Sequence, residues 1–405
     1  MSDHADASFA LSEDDSESDA ARAVPPSPTD FVFTFSYETY TDAVRRGMMR
    51  PPDRILSSLM RSAEVRRLLV ADPFRWLPRV AASPLLDRDV RFPVDERVAY
   101  LRPSRLLRED PVDLDGVSTQ YGRYDRSLER GARRLGLDAP HLLTTNPLVA
   151  GFAPADWASG VTFFARDDWL SSPARRAYWL AYREAYRRIA ETGRSVAAVS
   201  AEIIDRIAPT GPAMVVPNGV EPDEWLGLLP AAPAWFAEIP GPRAVYVGTL
   251  DSRLDVPGIA DLATRRPELQ VVLLGPCPDP EYVASLQRFP NVHIHPSVAR
   301  AELVATLRNA ELCLLAHRRT PLTEAMSPLK VYEYLAAGVP VVSIDLPPVR
   351  GIDERVLLVD SVGDFADVVD DALDLGPVPE ECRIDFIAAN SWSARHEMVF
   401  ALARA

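Results

Sequence analysis

Lysine is almost absent from this chain: of its 44 lysine and arginine residues, Lys330 alone is lysine. An ammonium is a compact point charge where guanidinium is planar and delocalised, so the exception marks a position with its own requirement. Cysteine is also scarce. Cys277, Cys313 and Cys382 have no metal-ligand spacing and leave an odd thiol, so they are expected reduced, as in a cytoplasm. No run of about 18 apolar residues, the length of a membrane span, occurs. The N-terminus lacks a basic region followed by an apolar one, so no secretory signal is expected. Positive charge is not in excess either: a net charge of -14 argues against binding nucleic acid through the general surface. Glycine clusters are missing too. Neither GxGxxG nor GxxxxGK(S/T) occurs, which disfavours a nicotinamide oxidoreductase and a P-loop nucleotidase.

What is present is the composition of a soluble globular protein, 47% hydrophobic and 25% charged, long enough for two or three domains. Residues 1–29, centred on "SEDDSESD", read as a disordered acidic tail. From Phe31 short apolar runs ending in polar residues alternate with helical segments: "FVFTFS", "RVAYLRPS", "HLLTTNP", "GVTFFARDD", "SVAAVSAEI" and "AMVVPNGV". One amphipathic helix is expected over Asp53 to Val70. A proline- and alanine-rich linker over 221–240 precedes a second alternating series, "RAVYVGTL", "LQVVLLGP", "NVHIHPSV", "ELCLLAHR" and "RVLLVD". Strand and helix by turns predict two Rossmann-like, doubly wound α/β domains, 30–220 and 241–378, facing across a cleft, with a helical segment over 379–405. Ligands of such sheets bind at the carboxyl ends of the strands.

Within "SPLKVYEYLAAGVPVVS" Ser327 is suited to cap a helix, Pro328 to open it and Gly338 to end it before a buried strand. Lys330 then lies in the first turn, where free N–H groups and the helix dipole favour an anion. Glu333 follows one turn deeper on the same face, placed to accept hydrogen bonds from sugar hydroxyls. Cation for diphosphate and carboxylate for ribose make a nucleotide pattern; an ordinary surface ion pair is the competing reading.

Other candidates are read in the same way. Gly248 lets a ligand approach a strand terminus, and Arg253 is in reach of a phosphate. His293 and His295 share one side of a strand, which suits packing or lining a nucleotide better than holding a metal, since no carboxylate or cysteine is near in sequence. Asp167 and Asp168 end a strand, where a carboxylate is placed either to act as general base or to cap the next helix. The stretch from Arg45 to Arg67 combines seven arginines with Met48, Met49, Ile55, Leu59 and Met60: an anionic lipid or phosphate-bearing acceptor, or simply the outer face of a core helix.

"PNGVEPDEW", "YVGTLDSRLD", "VVLLGP", "LRNAELCLLAHR", "LTEAMSPLKVYEYLAAGVPVVS" and the terminal "SW" helix together resemble the GT-B glycosyltransferases of family 4 and their relatives. In the amino half "FSYETYTDAVRRGMMRPPDR" and "FARDDW" are similar to the subgroup related to the teichuronic acid and xanthan glucuronosyltransferase enzymes. The resemblance implies a nucleotide-sugar donor in the carboxyl half, a sugar, lipid-linked or small-molecule acceptor in the amino half, and no cofactor or metal. It matches Glu333 to the family's ribose-binding glutamate, Lys330 to a diphosphate lysine, and Gly248 and Arg253 to positions near the phosphates. One departure stands out: the family glutamate eight residues before the ribose ligand is Ala325 here, with Glu324 out of register. The related glucuronosyltransferase inverts configuration with an aspartate base, a role open to Asp168 or Asp167. A cytoplasmic enzyme, peripheral to a membrane at most, is expected; a non-catalytic nucleotide- or partner-binding protein and a nucleotide-sugar epimerase are the alternatives.

Overall fold

The computed structural model describes residues 28–404 apart from 88 and 94, so the expected acidic tail lies, save for its last two residues, outside the described residues. The amino half carries β1 (Thr29–Thr34), β2 (Val65–Ala71), β3 (Arg75–Trp76), β4 (Val98–Leu101), β5 (Ser104–Arg105), β6 (His141–Thr144), β7 (Gly160–Ala165), β8 (Ser195–Ala198) and β9 (Ala213–Val215). Seven of these form one sheet in the order β4-β2-β1-β6-β7-β8-β9, while β3 and β5 pair with each other. Every pairing in the large sheet is parallel. The sequence foreshadows this: Phe31, Val32 and Phe33 are buried in succession, as strands covered by helices on both faces must be.

The carboxyl half carries β10 (Arg243–Val247), β11 (Gln270–Leu274), β12 (Val292–His295), β13 (Leu312–Leu315), β14 (Val341–Ile344) and β15 (Val356–Val359), parallel in the order β12-β11-β10-β13-β14-β15. Each sheet reverses its winding once, at β1 in the first and β10 in the second. Chains leaving such a strand and its neighbour diverge to opposite faces and open a crevice at the carboxyl ends. Lys330, Gly248 and Arg253 collect at the second of these points, whereas Asp167 and Asp168 follow β7 and His293 and His295 lie on the edge strand β12.

Two hydrophobic cores result, one per sheet. Between them residues 221–240 hold the short helices Pro222–Trp225 and Ala234–Ala237. The last helix, Trp392–Arg404, returns to the first core: Phe400 is buried 6.2 Å from Phe31, and His396 Nδ1 lies 2.6 Å from Ser58 Oγ. Burying a side chain such as Phe400 contributes about 1.5–3 kcal/mol, so this helix ties the carboxyl end of the chain to the amino-terminal domain.

The helix expected over Asp53 to Val70 is two elements. Pro51 opens a helix that ends at Arg61, Ser62 turns extended, and Leu68, Leu69 and Val70 belong to β2. Leu69 pairs with Val32 at the centre of the sheet, and both are buried. A continuous apolar triplet buried on both faces overrides the helical spacing of the arginines around it.

Candidate functional site

Lys330 is the second residue of the helix Leu329–Ala336, and its ammonium reaches back to the switch point of the carboxyl-terminal sheet. Its Nζ lies 3.1 Å from Nε2 of His317, just beyond β13, and 5.0 Å from the ring centroid of Tyr246 in β10. Gly248, past the end of β10, lies against the same side chain. A Cβ there would come within 2.6 Å of Lys330 Cε and Nζ, and the residue has φ +153°. Gly275, past the end of β11, repeats the arrangement with φ +152°; its Cβ would meet the Gly248 carbonyl oxygen at 2.1 Å. Neither position admits a side chain, so the two glycines are what let the strand ends and the Lys330 side chain pack this closely.

Electrostatics set this lysine apart. Burial pushes its pKa down to about 7, the nearby Arg253 guanidinium adding to the effect and Asp251 and Glu333 opposing it. Burial, with Lys330 and Arg253, also holds the His317 imidazole well below its ordinary value, so the ring is neutral. Nδ1 of that ring is buried without a hydrogen-bond partner. Arg253 is aimed by Asp251, with Nε 3.0 Å from Oδ1 and the terminal nitrogen 2.7 Å from Oδ2. Two basic side chains thus converge at one switch point, the more buried of them poised to gain a proton when an anion arrives.

Glu333 is buried one turn deeper, and its carboxylate is 2.6 Å from Arg300. Burial raises its pKa and Arg300 counteracts this. Arg300 also bonds Glu224 at 2.6 Å, and Glu224 takes Arg54 at 2.5 Å. Arg54, on the helix Pro51–Arg61, bonds Glu221 at 2.9 Å as well. An ion-pair chain therefore runs from the amino-terminal domain to the carboxylate that the sequence assigns to ribose. These residues line one cavity of about 290 Å³ between the lobes.

Ser327 does not cap the helix; Pro328 occupies that position. Ser327 instead ties the lobes together, its carbonyl accepting Nδ2–H of Asn218 at 2.7 Å. Asn218 comes from the "PNGV" segment, and its backbone N–H also donates to the Ser327 hydroxyl at 3.4 Å, so the oxygen that would cap the helix faces the other lobe. His295 ends β12 with its ring stacked on Trp235 at 3.8 Å, while its carbonyl accepts the Gly275 N–H at 3.0 Å. Its side chain is thus engaged in packing, and its main chain supports the glycine shelf. His293 bonds Gln270 at 2.8 Å.

The paired aspartates separate in role. Asp168 is buried and held by Arg206 and Ser171, with the Leu170 N–H at 3.2 Å. Asp167 is half exposed, touches Arg166 at 3.1 Å, and lines an inter-lobe cavity of about 200 Å³ with Tyr37, Arg175 and Arg253. Ala325 is buried, its carbonyl bonded by Ser200 at 2.8 Å, and Glu324 faces Arg319 at 3.9 Å. Five of the seven arginines in the stretch are matched by carboxylates: Arg45 by Asp89, Arg46 by Asp53, Arg50 by Glu38, Arg54 by Glu221 and Glu224, Arg66 by Asp30.

Sequence reasoning missed His317, Gly275, Asp251 and Arg300. A signal existed for two of them: His317 follows the buried run "LCLLA", and Gly275 follows "VVLL", each just past a strand end.

Residues 241–374 match the family model "Glycosyl transferases group 1". A putative teichuronic acid biosynthesis glycosyltransferase, TuaH, of Bacillus subtilis (strain 168) is 29% identical over 104 residues, 25% of this chain. The match spans about a quarter of that relative, 26% of its length. Among solved structures, trehalose-6-phosphate from E. coli bound with UDP-2-fluoro glucose aligns with TM-score 0.66 and 13% identity, covering 93% of this chain and 99% of that one. Sucrose-phosphate synthase from Thermosynechococcus elongatus aligns with TM-score 0.62 and 13% identity over 93% and 98%. At such identities the likeness is one of fold. Residues 241–374 thus resemble the glycosyl transferases group 1 domain, and the chain as a whole has the two-domain GT-B fold of these solved structures.

Proposed function

We propose that the chain transfers a glycosyl group from a nucleoside diphosphate sugar to an acceptor hydroxyl. The observation that carries this reading is Lys330 Nζ at the β10/β13 switch point, over Gly248 and beside His317, in the domain that matches the glycosyltransferase family. In the proposed reaction the bond from the anomeric carbon to the diphosphate oxygen breaks, and negative charge collects on the leaving diphosphate. Lys330, Arg253 and the N–H groups opening the helix Leu329–Ala336 are placed to stabilise that charge. The positive charge that a divalent cation supplies in other transferases is available here from side chains, which supports a metal-independent reaction. Glu333, aligned by Arg300, takes the ribose hydroxyls.

The acceptor oxygen forms the new bond to the anomeric carbon, and its proton goes to Asp167 in an inverting displacement. The exposed carboxylate in the inter-lobe cavity supports Asp167 over Asp168, whose oxygens are already occupied. Ala325, standing where family 4 has a glutamate, agrees with that choice by leaving no carboxylate there.

Polysaccharide or glycoconjugate synthesis suits the similarity to TuaH, and a reducing compartment suits three free thiols. Among the described residues no helix is long and apolar enough to cross a membrane. Peripheral contact draws support from exposed Trp76, Leu77, Leu106 and Leu107 near Arg79 and Arg108, rather than from the stretch 45–67, where five of the seven arginines are paired with carboxylates. Neither a non-catalytic role nor epimerisation gains support from the relatives.

The test is a thermal-shift panel of UDP-, GDP- and dTDP-sugars followed by nucleoside diphosphate release with and without saccharide acceptors. Stabilisation by one nucleotide class and acceptor-dependent release are expected. Absence of both removes the reading.

A further inference from the structure

A third cavity, of about 210 Å³, opens at the carboxyl ends of β2 and β4 in the amino-terminal domain. It takes no part in the proposed donor chemistry. Three guanidinium groups, Arg75, Arg79 and Arg102, and three carboxylates, Asp42, Asp72 and Asp87, line it. The formal charges cancel, which disfavours an isolated phosphate or carboxylate ligand. Strong donors face strong acceptors across a small volume, which matches hydroxyl groups that each donate once and accept twice. The volume is below the roughly 300–1,000 Å³ of pockets for drug-sized ligands, leaving room for about one sugar ring.

The walls are fixed from behind. Asp72 is buried, accepting the Tyr40 N–H at 2.9 Å and the Tyr100 hydroxyl. Asp42 is held by Thr39, whose N–H and Oγ1 are 2.9 and 2.8 Å away. Arg75 donates to the Tyr37 carbonyl at 2.5 Å, yet its Nε is buried with no partner. Tyr37 is the partition. Its carbonyl anchors the wall of this cavity, and the residue lines the neighbouring cavity that holds Asp167. Both cavities therefore lie along the same edge of one sheet, on either side of the segment leaving β1.

We infer that this cavity holds a sugar unit of the acceptor remote from the reacting hydroxyl, so that the acceptor is a saccharide of at least two units lying along the sheet edge from Asp167 to Asp72. The inference rests on the glycosyl-transfer reading and specifies its acceptor.

Labelled full-length protein applied to an array of mono- to tetrasaccharides tests it, with inorganic phosphate as competitor and nucleotide-sugar binding measured on the same preparation. Retention of at least one oligosaccharide at least tenfold above its component monosaccharides is expected, unaffected by millimolar phosphate. Arg79→Ala, at a half-exposed position, removes that preference while nucleotide binding persists. Lys330→Met has the reverse effect. No oligosaccharide preference, a preference indifferent to Arg79→Ala, or displacement by phosphate overturns the inference, and intact nucleotide binding then leaves the transferase reading standing. Loss of nucleotide binding in the unmodified protein instead removes the transferase reading, whatever the array shows.

Discussion

Nζ of Lys330 stands 3.1 Å from Nε2 of His317, an ammonium facing an imidazole rather than a carboxylate. Burial and Arg253 depress the lysine to a pKa of about 7, and the histidine stays neutral. A diphosphate placed beside this pair favours the protonated amine, so binding above neutrality takes up a proton. Affinity for a nucleotide sugar, whose diphosphate does not itself titrate near neutrality, is therefore highest below about pH 7 and falls above it by up to about tenfold per pH unit. Calorimetry in buffers of different ionisation enthalpy measures both quantities. A flat affinity from about pH 6 to 9 with no proton uptake contradicts the assignment.

Gly248 carries the second prediction. Its positive φ costs an L-residue about 1–3 kcal/mol, and an added methyl group collides with the Lys330 ammonium. Gly248→Ala is expected to keep the fold, lose about that much stability in a urea titration, and lower donor affinity at least tenfold. Donor affinity equal to that of the unmodified protein would show that the glycine shelf has no part in binding.

Arg300 joins Glu333 to Glu224, and Arg54 extends the link to the other lobe. Arg300→Gln leaves the buried Glu333 without its cation, which costs about 3 kcal/mol and favours the protonated carboxyl. Thermal melts should show the destabilisation, and nucleotide titrations a loss of about ten- to a hundredfold. Arg54→Gln, one link further out, is expected to weaken binding less. Equal effects of the two substitutions would mean that the chain serves lobe packing and not the orientation of Glu333.

The two aspartates separate experimentally. Asp167→Asn should lower kcat by about 10²–10⁴ with donor affinity unchanged, as removal of a general base does. Asp168→Asn deprives the partly exposed Arg206 of its partner and should appear mainly as a stability loss of about 1 kcal/mol. A larger kcat loss at Asp168 than at Asp167 reverses the assignment.

Much of this was legible in the sequence because parallel strands buried on both faces announce themselves as apolar runs, and "RAVYV", "QVVLL" and "LCLL" become β10, β11 and β13. Lys330 and Glu333 could be paired because three residues on a helix span one face. Register across distant segments was not legible. No local pattern says that His317 comes to the amine of Lys330, or that Arg300 reaches Glu333 from a separate helix. The helix expected over Asp53 to Val70 failed for the same reason, since only the partner strand reveals that Leu69 sits beside Val32. Ser327 had the right chemistry for a cap, but Asn218, more than a hundred residues earlier, engages both its hydroxyl and its carbonyl.

The most direct measurement is the affinity of Lys330→Met for the nucleoside diphosphate that most raises the melting temperature of the unmodified protein. Removing a buried ammonium relieves its desolvation, so the variant alone should melt at the same temperature or higher. Its nucleotide affinity should fall at least a hundredfold. A variant that binds as tightly as the unmodified chain contradicts the account at its centre.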